Sequence, residues 1–298
     1  MSNSSTGSSD ARGFLLAALG ALLALTALSE LWLRTQAPKR DAIAGAIVLA
    51  RSSTLPGIIL GHSHTYSLEG RLAGYANLSV PGANIPTMRA LAGLRVQGAT
   101  VRYAILASSP DLLSVASLGR GDSGLREWRS LSPLFLMQPP LASRLIPSLL
   151  RPAAGAEAEM EALDVGDRWS EVDALRRDIW TRARVEQQRP GPARDRRRHL
   201  AQYGEMLAML ESAGARTCML RTPVTPAYLA AAAALPEFDT AEHELRALAD
   251  RHRAQWIDFR AFEPPLALSE FLNQDHVNAA GAARFATWVQ QRCEESAP

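Results

Sequence analysis

A serine set between two histidines, His62-Ser63-His64, and a further histidine far downstream, His276, are the residues of this chain best suited to covalent chemistry. A hydroxyl is a weak nucleophile until a base takes its proton, and an imidazole within hydrogen-bond reach does so near neutral pH. Gly61 permits a tight turn ahead of Ser63, and a helix starting there would favour developing negative charge. Asn273 and Asp275 stand three and one residues before His276, so an amide and a carboxylate are both at hand to orient the imidazole. Gly82, in Pro81-Gly82-Ala83-Asn84, offers a bare backbone N–H to an incoming substrate oxygen and is a candidate oxyanion donor.

These residues also admit plainer readings. Ser63 can cap a helix, and Gly82 can complete a type II turn after Pro81. His62, His64, Asp275 and His276 have the chemistry of a metal-ligand set, but the barrels that use a His-x-His pair need about eight βα units.

What must position these residues is a parallel sheet. From residue 57 onward, short apolar runs alternate with helical stretches. Strands are expected at Gly57 to Leu60, Tyr75 to Val80, Val101 to Ala107, Thr217 to Arg221 and Trp256 to Phe259. Helices are expected at Thr65 to Ala73, Ile85 to Gly98, His199 to Ala213, Thr240 to Arg253 and Asn278 to Arg292. The fold class is therefore α/β: a doubly wound, mostly parallel five-stranded sheet with helices on both faces, preceded by an N-terminal membrane helix. In such sheets the reactive groups gather beyond the carboxyl ends of the strands, where Ser63, Gly82 and the Ser108-Ser109 pair all fall. Residues 112–198, rich in proline and then charged, read as an insertion either lying over the site or merely padding the fold.

The chain has 298 residues, 47% hydrophobic and 21% charged, enough for one domain of about 55–298 with additions. Its 32 basic and 30 acidic residues are interspersed, which gives no case for a nucleic-acid partner. The basic run Arg194, Arg196, Arg197, Arg198 reads as a solvated helix start or loop in preference to a phosphate-binding patch, and His199, His243 and His252 as solvent-facing. Cys218 and Cys293 are too few for a disulfide framework; two buried thiols are expected, with a single bridge as the alternative. After a polar leader at 1–12, residues 13–28 carry no charge, and 13–34 read as a membrane anchor or signal segment, followed by a linker helix at 35–54. The run is short of the roughly 20 residues of a full span, and Ala27-Leu28-Ser29 also fits a cleavage site. Trp32 followed by Arg34 favours a retained anchor.

The three loops around Ser63, Gly82 and His276, in this order, resemble the SGNH (GDSL-like) hydrolase superfamily, in particular its membrane-anchored acyltransferase-like branch. The motif support lies in Gly61-His62-Ser63, Pro81-Gly82 and His276-Val277-Asn278 with Ala280-Gly281-Ala282. The resemblance implies Ser63 as nucleophile, its own N–H and that of Gly82 as oxyanion hole, and His276 as base. The family's usual Asp three residues before the histidine is Asn273 here, leaving Asp275 or Asn273 itself as third member. Its oxyanion-donating Asn after the third strand is replaced by Ser108 and Ser109. The implied activity is an O-acyl transferase or esterase acting on a cell-surface polysaccharide through an acyl-serine, needing no metal or organic cofactor. The implied setting is extracytoplasmic, beside a membrane-bound O-acyltransferase. The alternatives are a catalytically degenerate scaffold that binds polysaccharide or assembles a membrane complex, and an exported esterase freed by signal cleavage.

Overall fold

The computed structural model describes residues 7–40, 42–119 and 169–295, the side chains of 7–12, 30, 32–40 and 119 excepted. The polar leader before residue 7 and the proline-rich part of the insertion, 120–168, lie outside the described residues.

Five parallel strands form one sheet in the order β2-β1-β3-β4-β5: β1 Gly57–Leu60, β2 Tyr75–Asn77, β3 Tyr103–Ala107, β4 Arg216–Arg221 and β5 Gln255–Asp258. Side chains alternate across it, as a period of two requires. Ile58, Leu60, Ala104, Leu106 and Met219 face one core, with residues of α2 (Ala42–Ser52), α4 (Ile85–Gly98), α7 (Ala193–Ser212) and α9 (Pro236–Arg251). Ile59, Ile105, Cys218, Leu220 and Ile257 face the other, against Phe285 and Val289 of α10 (Ala279–Glu295). Each fully buried Leu or Ile of these faces contributes roughly 1.5–3 kcal/mol relative to exposure. The order reverses direction at β1, so a crevice opens between the exits of β1 and β3.

Several expectations are corrected. The helix after Ser63 ends early: α3 is only Ser63–Tyr66, and Leu68 and Leu72 then drop into the core beneath β1 and β2. So short a helix brings little dipole to the site, and the electrostatic help expected there comes from side chains instead. The presumed linker at 35–54 contains α2, whose Ala44, Ile47 and Ala50 are part of the main core. Residues 193–198 belong to α7 and not to an insertion, and a further helix, α8 (Pro226–Ala233), follows β4. His199 is buried, with Nδ1 3.1 Å from the Asp195 carbonyl. Arg196 of the basic run is buried too, because Glu244 of α9 pairs with its Nε at 2.8 Å.

Cys218 and Cys293 are bonded to each other, their Cα atoms 5.9 Å apart. Cys218 points from β4 toward α10, whose last turns bring Cys293 over the sheet; this meeting has no signature in the spacing. Closing a loop of 75 residues restricts the unfolded chain by about 4 kcal/mol in the chain-entropy account.

At the N-terminus, α1 spans Gly7–Arg40. Phe14, Leu15, Leu16, Leu22, Leu23 and Leu25 are all more than half exposed. Among the described residues, no helix is long and apolar enough to cross a membrane, so the membrane helix expected at 13–34 is not supported by the structure.

Candidate active site

Ser63 is placed by a cramped turn. A Cβ on Gly61 would come within 2.1 Å of Thr65 Oγ1 and 2.6 Å of the Ala107 Cβ, so only glycine lets β1 pass this close to β3 and α3. Beyond the turn, Thr65 Oγ1 lies 2.9 Å from Ser79 Oγ, and Asn77 Nδ2 donates to the Thr65 carbonyl at 3.0 Å. The exit of β2 thereby ties down the short helix that carries the serine. Ser63 opens that helix, where a backbone N–H has no intrahelical acceptor.

The candidate base, His276, arrives from the opposite edge of the site on a pinned loop. Leu272 N donates to the His276 carbonyl at 2.8 Å, and Thr225, the N-cap of α8, holds the Gln274 carbonyl through its N–H and its hydroxyl. Asn273 Oδ1 accepts the backbone N–H groups of Asp275 and His276 at 3.0 and 2.9 Å. The outcome is a contact of 2.8 Å between His276 Nε2 and Ser63 Oγ.

On the other ring nitrogen two oxygens compete. His276 Nδ1 lies 3.1 Å from Asp275 Oδ1 and 3.2 Å from Asn273 Oδ1. Both candidates for the third position are therefore within reach, but only Asp275 brings charge. Its carboxylate is fully buried, and Oδ2 accepts from Arg184 Nε at 2.8 Å and Gln188 Nε2 at 2.7 Å, with His64 Nε2 at 3.3 Å. Burial alone would raise the Asp275 carboxyl, but its hydrogen bonds to His276 and His64 and their charges outweigh that and hold it well below the usual carboxylate range. Burial lowers His276 from its ordinary value, and the neighbouring His64 lowers it further, against the pull of Asp275.

Arg184 and Gln188 come from the end of α6 (Ala174–Gln187) and its C-cap, one described part of the expected insertion, which thus flanks the carboxylate of the site. They escaped the sequence reading because nothing local in a charged helix marks a side chain that meets a loop some ninety residues on. Thr222 and Asp111, beyond the exits of β4 and β3, were also missed, because what marks them is their contact with the histidines of the β1 exit. Thr222 Oγ1 sits 3.2 Å from His64 Nδ1, and Asp111 Oδ2 sits 3.2 Å from His62 Nε2.

The proposed oxyanion donors divide. Gly82 has φ +72°, the left-handed region that favours glycine, and its turn lies beside the Ser63 turn because Val80 N donates to the Gly61 carbonyl at 3.1 Å. Ser108 and Ser109 face elsewhere. The Ser108 hydroxyl is 2.7 Å from Tyr203 Oη and donates to the Leu106 carbonyl, while Ser109 Oγ is 2.8 Å from Thr222 Oγ1 and accepts the Thr222 N–H. Both are buried and held by these bonds, so the third-strand donor is not replaced by a serine hydroxyl.

His62, His64 and Asp111 bring donor atoms within 4.8 Å of one another, as do His64, Asp275 and His276. In the first set, His62 Nδ1 accepts the His64 N–H at 3.4 Å, which places the proton of a neutral His62 on Nε2. Burial holds His62 neutral by lowering it to about 4. Its Nε2 therefore meets Asp111 as an N–H, close but poorly aligned. A cavity of about 230 Å³ adjoins this cluster beyond β3 and β4, walled by Asp111, Thr222, Val224, Tyr228 and Phe238.

No protein-family model matches the chain, and no curated protein matches it. Among solved structures, one similar chain is the crystal structure of a Bacteroides fragilis NCTC 9343 protein provisionally described as an acylhydrolase. It is 9% identical, with 80% of this chain and 86% of that one covered, at a TM-score of 0.42. A likeness of that degree decides nothing about the chemistry, which rests on the geometry above.

Proposed function

We propose that this protein is a serine esterase or O-acyl transferase that carries an acyl group on Ser63. The observation that carries the reading is the hydrogen-bonded series Ser63 Oγ, His276 Nε2, His276 Nδ1, Asp275 Oδ1, with contacts of 2.8 and 3.1 Å. In the forward step Ser63 Oγ bonds to an ester carbonyl carbon while His276 Nε2 takes the hydroxyl proton. The C–O bond to the leaving alcohol then breaks, and His276 returns the proton to that oxygen. Water or an acceptor hydroxyl, deprotonated by the same imidazole, then bonds to the acyl carbon; the bond to Ser63 Oγ breaks and His276 returns the proton to the serine oxygen. Gly82 N–H and Ser63 N–H are the proposed donors to the tetrahedral oxyanion.

A fluorophosphonate probe tests this directly. The folded protein is expected to be labelled once, at Ser63, and Ser63→Ala to remain unlabelled. Absence of labelling in folded wild-type protein would instead favour the non-catalytic scaffold, whose supporting observation is that Ser108 and Ser109 are occupied and leave the oxyanion site a donor short.

The acceptor proposed is a carbohydrate polymer of the cell surface, with a membrane-bound O-acyltransferase as acyl donor partner; both rest on the resemblance noted above. An extracytoplasmic setting is supported by the Cys218–Cys293 bridge, since disulfides persist in oxidising compartments. Both cysteines are then expected to be blocked to alkylation in the isolated protein. Free thiols would count against this placement.

A further inference from the structure

His64 is the one fully enclosed imidazole of the cluster that faces a carboxylate from each side. Its Nε2 lies 3.3 Å from Asp275 Oδ2, and its Nδ1 lies 3.2 Å from Thr222 Oγ1 and 3.9 Å from Asp111 Oδ2. An ionised carboxylate only accepts, so Nε2 carries a proton. Nδ1 faces a hydroxyl, with a second carboxylate beyond it. The His64 ring also packs edge-on against His276, their centroids 4.5 Å apart, and against His62 at 4.4 Å.

We propose that His64 is a positioning residue that carries a proton on both ring nitrogens in the resting protein and shares Asp275 with His276, so that the base stays neutral at lower pH. A charge there repels a second charge on the adjacent imidazole and takes up part of the Asp275 field that would otherwise favour it. The charged and titratable groups facing the pair are Asp275 on the loop before α10, Asp111 after β3, Arg184 on α6 and His62 beside Ser63. The two carboxylates favour the charged form of His64, and Arg184 opposes it less directly. His62 is held neutral, and burial, the largest single influence on His64, is outweighed, leaving its pKa raised. The inference rests on His276 serving Ser63 as base, but its measurement does not require turnover.

The chain has six histidines, so ring signals in the full protein labelled on histidine are assignable through single substitutions. Nitrogen chemical shifts are expected to show wild-type His64 as imidazolium throughout the range in which His276 titrates. In His64→Gln, which keeps a donor toward Asp275 without charge, the His276 midpoint is expected to move to higher pH. With an activated aryl ester, the acid limb of kcat/KM should move with it, costing on the order of tenfold below the wild-type midpoint. A His276 midpoint that is unchanged or lower in His64→Gln overturns the proposal, as does a single neutral tautomer for wild-type His64. A shifted midpoint without ester turnover at any pH upholds the role of His64 and sinks the esterase reading instead. If His64→Gln fails to fold, the wild-type spectrum alone decides between imidazolium and neutral ring.

Discussion

Replacing His276 by alanine is expected to lower kcat toward an activated ester by about a millionfold, the scale at which serine enzymes lose the whole nucleophile and base unit. The reason is the 2.8 Å contact between Ser63 Oγ and His276 Nε2, which makes this imidazole the proposed acceptor of the serine proton. His62 and His64, though adjacent in sequence, turn their nitrogens to Asp111, Asp275 and Thr222 and away from the hydroxyl. Loss in kcat with little change in KM is the expected pattern, since the imidazole acts on the reacting proton. A variant retaining more than about one part in ten of wild-type kcat would end the assignment of the base. The wild-type pH profile follows from the same residue. Burial, helped by His64, depresses His276 below its ordinary 6.5, so the neutral base persists on the acid side of that value. The rate then falls only as pH drops through the depressed midpoint.

Asp275→Asn is expected to cost about 10⁴ in kcat, the loss seen when a triad carboxylate becomes an isosteric amide. His276 Nδ1 has one proton to give and two oxygens near it. Asn273 Oδ1 already takes two backbone N–H groups and so shapes the loop, while Asp275 Oδ1 is the charged acceptor and, in the proposed reaction, the group that would stabilise the imidazolium. An amide at 275 also leaves Arg184 Nε, Gln188 Nε2 and His64 Nε2 without their common anion. Asn273→Ala should be far milder, about tenfold, and act by loosening the loop. Steady-state kinetics on both variants, with thermal melts to check folding, decide the matter. If Asn273→Ala loses more rate than Asp275→Asn, the roles are reversed and the third member is uncharged.

How much of this was legible depended on range. β1 and α4 match their expected bounds because each is delimited by its neighbours: Pro56 and Gly61 bracket the apolar run, and Asn84 caps a helix with Pro86 in its first turn. Ser63, Gly82 and His276 could be named because each follows a strand exit or precedes the last helix, positions that local pattern reveals. The end of α3 could not, since Thr65 to Ala73 reads as continuous helix. What stops it is the burial of Leu68 and Leu72 beneath the sheet, with Gly70 and Gly74 at positive φ. Choosing between Asn273 and Asp275 was equally closed to local reading. Both contact the same nitrogen, and what separates them is the set of partners that α6 and His64 bring to one carboxylate.

That set has a thermodynamic meaning. A carboxylate enclosed as Asp275 is would be strongly disfavoured as an anion without donors, and two of its donors belong to α6. Seating α6 and ionising Asp275 are therefore linked equilibria. By reciprocity, whatever free energy the seated helix lends to the anion, the anion lends to the seating of the helix. The charge state of Asp275 is thus tied to α6, and a binding event that pulled on that helix would be felt as a change in acidity at this carboxylate.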